Sequence, residues 1–241
     1  MAKADPSAPP PLLVVAIDGP VASGKSVIGR RIADRLGWPL LDTGVMYRAL
    51  TWLALERGVE LRDDEALTKL AEATDIRIDP APPGRLERAR ILIDGVDATP
   101  HLREPHVEAS VSTVAAAPGV RRRMVELQRR EALRGRMVMV GRDIGTVVVP
   151  DAAVKIYLFA SAEVRAQRRA AEMRTRGREV GDAAVLQEIQ RRDQLDAGRV
   201  TSPLRAADNA IELDTSALDL EGSVEAALRI VAAHLPAQAP R

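Results

Sequence analysis

The residues most suggestive of chemistry form a loop at positions 19–26, which matches the pattern G-x-x-x-x-G-K-[S/T]. In this pattern the glycines let backbone N–H groups converge on a phosphate, and the N-terminus of the next helix adds partial positive charge. Lys25 is expected to bridge the β- and γ-phosphates of ATP, and the Ser26 hydroxyl to join a Mg²⁺ shell. The loop therefore predicts nucleotide binding, but it does not identify the acceptor of the phosphoryl group.

The loop lies between a predicted strand and a predicted helix, which is the setting that this pattern requires. Residues 12–18 form a continuous apolar run typical of a strand buried on both faces. Residues 24–36 have the periodicity of an amphipathic helix, and Gly37 is placed to end it. The same alternation predicts further strands at 39–41, 137–140, 154–159 and 210–213, and helices at 45–57, 118–133, 162–176, 183–196 and 220–235.

Five buried strands that alternate with helices predict an α/β fold, a P-loop NTPase-type parallel sheet with helices on both faces. Its core is expected to comprise residues 12–59 and 111–235. Residues 60–110 differ in pattern, with short strands predicted at 75–79 and 90–93 and an Asp-Gly hairpin signal after the second. They predict a small mixed insert on the main sheet.

Composition excludes several classes of function. The 35 basic residues nearly balance 34 acidic ones, and aromatic residues make up only 2%, so we expect no nucleic-acid partner. The lack of cysteine excludes disulfides, thiolate metal sites and cysteine nucleophiles. The longest early apolar run is too short for a membrane span, so we expect a cytoplasmic protein without a membrane partner. Residues 1–11, with four prolines, are expected to be a disordered tail, and residues 236–241 a second tail.

Short polar clusters follow the predicted strands, where open α/β sheets bind their ligands. They comprise LDTGVMYR at 41–48, VSTVA at 111–115, PGVR at 118–121, GRDIGTV at 141–147, RRD…D…R at 191–199 and PL at 203–204. Together with the loop, these motifs resemble those of bacterial cytidylate kinases in residue types and order, over about residues 12–235. The resemblance implies phosphoryl transfer from ATP to CMP, with dCMP also accepted, by a monomer. It also implies that the insert binds the acceptor and that residues 165–192 form a mobile helical lid.

The resemblance also implies which side chains hold the acceptor's phosphate. Arg48, Arg142 and Arg199 correspond to arginines that would neutralise a phosphate dianion and aim its oxygen at the γ-phosphorus. Arg192 is expected to reach the transferring phosphoryl group. Because the acceptor is already an anion, we expect no general base. Catalysis is then expected to consist of positioning and charge stabilisation by Lys25, Mg²⁺ and arginines.

A second set of residues corresponds to those that bind the nucleoside. Ser112, Arg121 and Asp143 correspond to the residues that recognise cytosine. A carboxylate can accept a hydrogen bond from the exocyclic amine, whereas arginine and serine can donate to O2 and N3. Asp196 corresponds to the ligand of a ribose hydroxyl.

The remaining expected contacts involve Thr43 and Tyr47, on the acceptor-binding helix, and a larger donor set. The donor set comprises Gly19, Pro20, Val21, Ala22, Ser23, Gly24, Lys25, Ser26 and Val27, with Arg168, Arg174 and Arg176 from the lid. One departure concerns the loop itself, because members of the family often carry glycine where this chain has Ala22. Its methyl group is expected to be tolerated if φ at that residue is negative.

Two alternatives remain open at this point. A P-loop kinase for another small acceptor, such as UMP or shikimate, would share Lys25 and Ser26. Such an enzyme has no reason to carry the set Ser112, Arg121 and Asp143. A non-catalytic nucleotide-binding or scaffold module would bind ATP without acceptor-dependent production of ADP.

Overall fold

The computed structural model describes residues 12–84, 89–175, 177–199 and 201–235. The two predicted tails and Arg176 lie outside these ranges. The strands are β1 (Leu12–Asp18), β2 (Leu40–Asp42), β3 (Ile76–Asp79), β4 (Arg90–Ile93), β5 (Val96–Asp97), β6 (Met137–Gly141), β7 (Ala152–Phe159) and β8 (Ile211–Asp214). The helices are α1 (Lys25–Leu36), α2 (Gly44–Glu56), α3 (Asp64–Ala73), α4 (Pro105–Val114), α5 (Pro118–Ala132), α6 (Ala162–Thr175), α7 (Asp182–Ala197) and α8 (Leu220–His234).

In the described ranges the main sheet has five strands in the order β2-β6-β1-β7-β8, and every neighbouring pair is parallel. The central strands β1 and β6 are apolar and buried almost throughout, because helices cover both faces of the sheet. The α/β fold with a five-stranded parallel sheet, predicted from the sequence, is confirmed. The register pairs Asp18 with Gly141, so the donor loop and the segment after β6 leave the same edge of the sheet.

Alternate side chains of β1 enter two separate layers of core. Val15 and Ile17 pack with α1 and α8, whereas Val14 and Ala16 pack with α2 and α5. Helix α1 ends where the sequence predicts, since Gly37 adopts a φ of 67° and its N–H bonds to carbonyls of the last turn. These two layers fix the carboxyl edge of the sheet, where the polar clusters emerge. Within the described ranges, no helix is both long and apolar enough to cross a bilayer.

The insert contains the two predicted strands and the predicted hairpin. Strands β3, β4 and β5 form an antiparallel sheet in the described part of the insert. Asp94 (φ 50°) and Gly95 (φ 83°) form the tight turn between β4 and β5, as the Asp-Gly signal predicts.

The structure adds two helices that the sequence pattern did not predict, α3 and α4. Helix α3 is capped by Asp63, whose side chain accepts from two backbone N–H groups of the first turn. Helix α4 spans the predicted boundary between residues 110 and 111. The division of the chain into core and insert stays a prediction.

Candidate active site

A cavity of about 850 Å³ opens at the carboxyl edge of the main sheet. The loop after β1 lines one end. Residues of α2, α4 and α5, the segment after β6, and α7 line the other. Most of the residues predicted from the polar clusters therefore meet in one space, at the edge where open α/β sheets bind ligands.

The donor loop, residues 19–26, has a backbone that requires its glycines. A Cβ on Gly19 would lie 1.9 Å from the Leu158 carbonyl oxygen, and φ at Gly24 is 96°. The Lys25 ammonium donates to the Pro20 carbonyl (2.6 Å) and to Ser23 Oγ (3.2 Å). Burial and the nearby charge of Arg142 lower the pKa of Lys25 well below its ordinary value. The negative charge of a bound phosphate would favour the charged ammonium again.

Ala22 corrects one expectation from the sequence. Its φ is 59°, so the condition of a negative φ is not met. The left-handed conformation costs an alanine about 1–2 kcal/mol. The methyl group packs beside an apolar cluster formed by α6 and α7, which comprises Ala166, Ala170, Val185 and Ile189. This contact offsets part of the strain and joins the donor loop to the predicted lid.

Asp42 is a residue of the site that the sequence analysis did not select. The Ser26 hydroxyl donates to Asp42 Oδ2 at 2.6 Å, and the Gly44 N–H donates to Asp42 Oδ1 at 3.0 Å. The available signal was its place at the end of β2, directly before Thr43 and Gly44. Because strands β1 and β2 end at the same sheet edge, a carboxylate there reaches the first turn of α1.

The far end of the cavity contains a buried ion pair, Arg121 with Asp143. Arg121 also donates to the Ala115 carbonyl at 3.1 Å, and its guanidinium lies 5.6 Å from the centroid of the Tyr47 ring. Burial raises the pKa of the Tyr47 hydroxyl to about 12, so Tyr47 is a neutral hydrogen-bonding group. Ser112, on α4, lines the same end.

Between the two ends, Asp196 holds two arginines. Arg142 Nε donates to Asp196 Oδ2 at 2.8 Å, and Arg199 binds Asp196 Oδ1. Burial opposes ionisation of this carboxyl, but the charges of Arg142 and Arg199 outweigh it and lower its pKa. Burial and the charge of Arg142 lower the pKa of Arg192 to about 10. The three arginines therefore carry more positive charge than the single carboxylate of Asp196 neutralises.

Several of these cations retain donors that point at no protein acceptor. Among the described residues, the buried Nε groups of Arg48, Arg192 and Arg199 have no hydrogen-bond partner. All three side chains line the cavity. Buried donors without partners cost folding free energy, and the convergence of three such guanidiniums on one cavity fits the binding of an anion.

Comparison with known proteins agrees with this geometry. The family model described as cytidylate kinase matches residues 15–233. The chain belongs to the cytidylate kinase family. Similar relatives include cytidylate kinases from Carboxydothermus hydrogenoformans (46% identical over 217 residues; 90% of this chain and 96% of the relative), Geobacillus kaustophilus (48% over 217 residues; 90% and 95%) and Rhodococcus opacus (47% over 220 residues; 91% and 94%).

The cavity accounts for most of the residues that the cytidylate kinase resemblance selected. Those that line it are Val21, Ala22, Ser23, Gly24, Lys25, Ser26, Val27, Thr43, Tyr47, Arg48, Ser112, Arg121, Arg142, Asp143, Arg168, Arg192, Asp196 and Arg199. Gly19 and Pro20 belong to the loop but do not line the cavity, and the Pro20 carbonyl accepts from Lys25. Whether each residue has the implied role stays a prediction.

The predicted lid arginines are placed less uniformly. Arg168 lines the cavity, but its guanidinium donates to the carbonyls of Thr215 (2.7 Å) and Leu218 (3.1 Å). Arg174 is exposed, lies off the cavity wall and pairs with Asp182. Arg176 lies outside the described residues.

A lid arginine that the sequence analysis did not select, Arg169, does line the cavity. It bridges Glu108 of α4 (2.9 Å) and Glu172 of its own helix (2.8 Å). The sequence offered no signal for this choice among neighbouring arginines, because pairing partners on distant helices are invisible in it.

Proposed function

We propose that this protein transfers the γ-phosphoryl group of ATP to CMP and dCMP, giving ADP and CDP or dCDP. The observation that carries the proposal is the anion site next to the donor loop, where Arg48, Arg192 and Arg199 keep buried donors without partners. Three guanidiniums that line the same cavity as Lys25 match two phosphate groups brought together, one from each substrate. The cytidylate kinase family of the chain supports the choice of nucleotide.

At the donor end, Mg²⁺ is the metal that we propose to accompany ATP. The Ser26 hydroxyl and the Asp42 carboxylate are hard oxygen donors 2.6 Å apart on the cavity wall, which fits this ion. These two residues would hold it, directly or through water. Bound there, the ion would neutralise phosphate charge.

At the acceptor end, the arginines orient the phosphate of CMP. Arg142 and Arg199 each donate hydrogen bonds to Asp196. Because a guanidinium carries five N–H groups, each arginine retains further donors for a phosphate. Asp196 holds the planes of both guanidiniums before substrate arrives. Such preorganisation reduces the entropy lost when the acceptor oxygen is aligned with the γ-phosphorus.

Recognition of the base follows from the charge on Asp143. Its carboxylate can accept a hydrogen bond from the exocyclic amine of cytosine, whereas uracil presents a carbonyl oxygen there that the carboxylate repels. Arg121 fixes this carboxylate through their ion pair. The pair therefore favours CMP over UMP.

The reaction forms a bond between an acceptor phosphate oxygen and the γ-phosphorus, and it breaks the bond from that phosphorus to the β–γ bridging oxygen. No proton must leave the nucleophile, because the acceptor is an anion. Lys25 and Arg192 are placed to stabilise charge on the transferring group. Closure of α6 and α7 over the cavity would exclude water, which otherwise competes as acceptor.

We also propose that residues 60–110 act as an acceptor-binding insert and residues 165–192 as a lid. The insert contributes Ala81, Arg103 and Glu108 to the cavity wall, and the lid contributes Arg168 and Arg192. We propose a cytoplasmic monomer, and light scattering of the purified protein tests the oligomeric part.

A coupled ADP-release assay tests the function with CMP, dCMP, UMP, AMP and GMP as acceptors at fixed ATP and Mg²⁺. We expect CMP and dCMP to give the highest kcat/KM. A clear preference for a purine nucleotide would overturn the acceptor assignment. ADP release that does not depend on any acceptor would overturn the assignment as a nucleotide kinase.

A further inference from the structure

Asp18 is a buried carboxylate for which the reaction described above has no use. It is the last residue of β1, directly before the donor loop, and it is 5% exposed. Its two oxygens accept backbone hydrogen bonds from a distant segment: Oδ1 from the Ile144 N–H (2.8 Å) and Oδ2 from the Gly145 N–H (2.7 Å). Both bonds are buried.

These N–H groups belong to the start of a single helical turn, Ile144–Val148, that follows β6. The first N–H groups of any helical turn have no partner within it. Here the turn is buried among β1, β6 and β7, so solvent cannot satisfy them. Asp18 therefore provides from another strand the acceptors that a local capping residue otherwise provides.

The residues directly before this turn are Arg142 and Asp143, the phosphate and base ligands of the proposed acceptor site. The backbone of this segment is tightly packed against its neighbours. A Cβ on Gly141 would lie 2.7 Å from Ile144 Cδ1 and 2.8 Å from Thr43 Oγ1. A shift of the Ile144 or Gly145 amide would therefore move Asp143 and Arg142 relative to the donor loop.

We propose that Asp18 is a positioning residue, which anchors the segment bearing Arg142 and Asp143 to the strand that leads into the donor loop. Asp18 touches neither substrate. It sets the distance between the acceptor ligands and the donor phosphates, so its loss weakens the binding of CMP more than the binding of ATP. The inference rests on the proposed function, because it assigns a second layer of support to that same site.

The alternative is that Asp18 only contributes to folding, since its two buried hydrogen bonds stabilise the folded chain by themselves. Burial and, to a smaller degree, the neighbouring Asp143 carboxylate raise the pKa of Asp18 to about 6, although the hydrogen bonds from Gly145 and Ile144 and the charge of Lys25 favour its ionised form. The two roles predict different results, because a role in folding alone affects CMP and ATP binding equally, whereas a positioning role affects CMP binding more. The Ile144 and Gly145 N–H groups bind different oxygens of Asp18, and asparagine would present an NH₂ donor in place of one of them.

The test compares Asp18→Asn with a matched control, Glu131→Gln. Glu131 is equally buried, carries one ion pair to Arg134, and lies off the cavity wall. Three quantities are measured for each variant: KM for CMP, Kd for a non-hydrolysable ATP analogue by calorimetry, and deuterium uptake of the peptide covering residues 141–149.

For Asp18→Asn we expect KM for CMP to rise by about tenfold or more, as expected when a buried hydrogen bond to a charged group is lost. Kd for the ATP analogue should change by less than about threefold, and uptake in residues 141–149 should rise. Removing a negative charge by itself favours anion binding, so weaker CMP binding points to displacement of the ligands. Glu131→Gln should leave all three quantities near native values.

Equal losses of CMP and ATP binding would overturn the proposal, since they indicate general destabilisation. An unchanged KM for CMP would overturn it as well. If Asp18→Asn does not fold, Asp18→Glu is measured in its place. Glutamate keeps both acceptor oxygens but displaces them by one methylene, so this variant must show the same selective rise in KM for CMP. Failure of the proposed function gives a different result, because native protein would then release no ADP in response to CMP while deuterium uptake still reports on the anchor.

Discussion

The two ends of the cavity are built in different ways. The donor loop is one contiguous stretch that we propose to bind phosphate mainly through backbone N–H groups, and Lys25 is its one charged side chain. The proposed acceptor pocket draws its residues from separate elements, and Arg48 and Ser112 line it as well. Ion pairs between side chains hold five of its residues: Arg121, Arg142, Asp143, Asp196 and Arg199. A site made of backbone tolerates side-chain changes that a site made of paired charges does not.

The two ends also differ in how their charge is held before substrate binds. Lys25 donates to oxygens of its own loop, which a phosphate can replace. In the proposed acceptor pocket, carboxylates hold Arg121, Arg142 and Arg199, and among the described residues the buried Nε groups of Arg48 and Arg192 have no hydrogen-bond partner. We therefore expect substitutions to have their largest effects at the acceptor end.

The largest effect is expected for Arg142→Ala. This change removes a guanidinium that the structure fixes on Asp196 and leaves that buried carboxylate with one partner fewer. We expect kcat/KM for CMP to fall by about 10²-fold or more, comparable to the loss of a preorganised charge donor. The coupled ADP-release assay measures it.

Arg130→Ala is the control for this prediction, because Arg130 is exposed on α5 and lies off the cavity wall. It should stay within about twofold of native activity, as surface substitutions usually do. A loss below about threefold for Arg142→Ala would remove Arg142 from the site and erase the contrast between the two ends.

The next effect concerns selectivity, through Asp143→Asn. The amide can donate as well as accept, so it can pair with the carbonyl of uracil that the carboxylate repels. We expect the ratio of kcat/KM for CMP to that for UMP to fall by about tenfold, together with a lower melting temperature from the broken pair with Arg121. Parallel assays with the two nucleotides give the ratio.

Asp193→Asn is the control that separates an effect on nucleotide selectivity from an effect on stability. It breaks the ion pair with Arg165 (2.7 Å), which lies off the acceptor pocket. Its melting temperature should also fall, but its ratio of CMP to UMP activity should stay within about twofold of native. An unchanged ratio in Asp143→Asn would contradict the assignment of Asp143 as the base-reading residue.

The sequence predicted the donor end better than the acceptor end, and the reason is physical. A backbone site is encoded locally, so the string at residues 19–26 and its flanking strand and helix were enough to place it. The buried five-stranded sheet was predictable for the same reason, since long apolar runs report burial directly. The acceptor ligands came only from resemblance to a family, because nothing local indicates that Arg142 and Asp196 meet.

What the sequence could not give are contacts between distant elements and unusual backbone conformations. The pairing of Ser26 with Asp42 and the anchoring of Ile144 by Asp18 depend on strands that end at one sheet edge. Helices α3 and α4 escaped prediction because the strands of the insert dominated its pattern. Ala22 adopts φ 59°, which its residue type opposes.

A smaller effect is expected in the pH dependence of stability, through Asp18, which lies between the two ends. Its pKa in the folded protein is about 6, against an ordinary value of 3.8. The folded state therefore binds the extra proton, so this contribution to stability is full below pH 3.8 and is lost as pH rises through about 6. Relative to Asp18→Asn, the native free energy of unfolding should fall by roughly 1 kcal/mol from about pH 5 to about pH 7.

Urea denaturation of both proteins at each pH measures this difference, and the comparison cancels groups that titrate alike in both. The charged and titratable groups that face Asp18 are Lys25, Asp143, Lys155 and Tyr157, and they are present in both proteins. A difference in stability that does not vary with pH would show that Asp18 is ionised throughout this range.

The smallest effect is expected at the donor loop, for Ala22→Gly. Glycine adopts φ 59° without strain, but it loses the methyl contact with the cluster of α6 and α7 and gains freedom in the unfolded chain. These terms nearly cancel, so we expect a gain in unfolding free energy of up to about 0.5 kcal/mol. The ATP affinity should stay within about threefold, because the ligands there are backbone groups.

Ala66→Gly is the control for Ala22→Gly, because we expect it to change the unfolding free energy in the opposite direction. Ala66 lies in α3 with ordinary helical geometry, so its replacement should lower the unfolding free energy by about 1 kcal/mol. If Ala22→Gly instead destabilised the protein as much as Ala66→Gly does, the apolar contact with the lid would outweigh the backbone strain. The donor loop would then depend on a side chain, as the acceptor pocket does, and the distinction between the two ends would no longer hold.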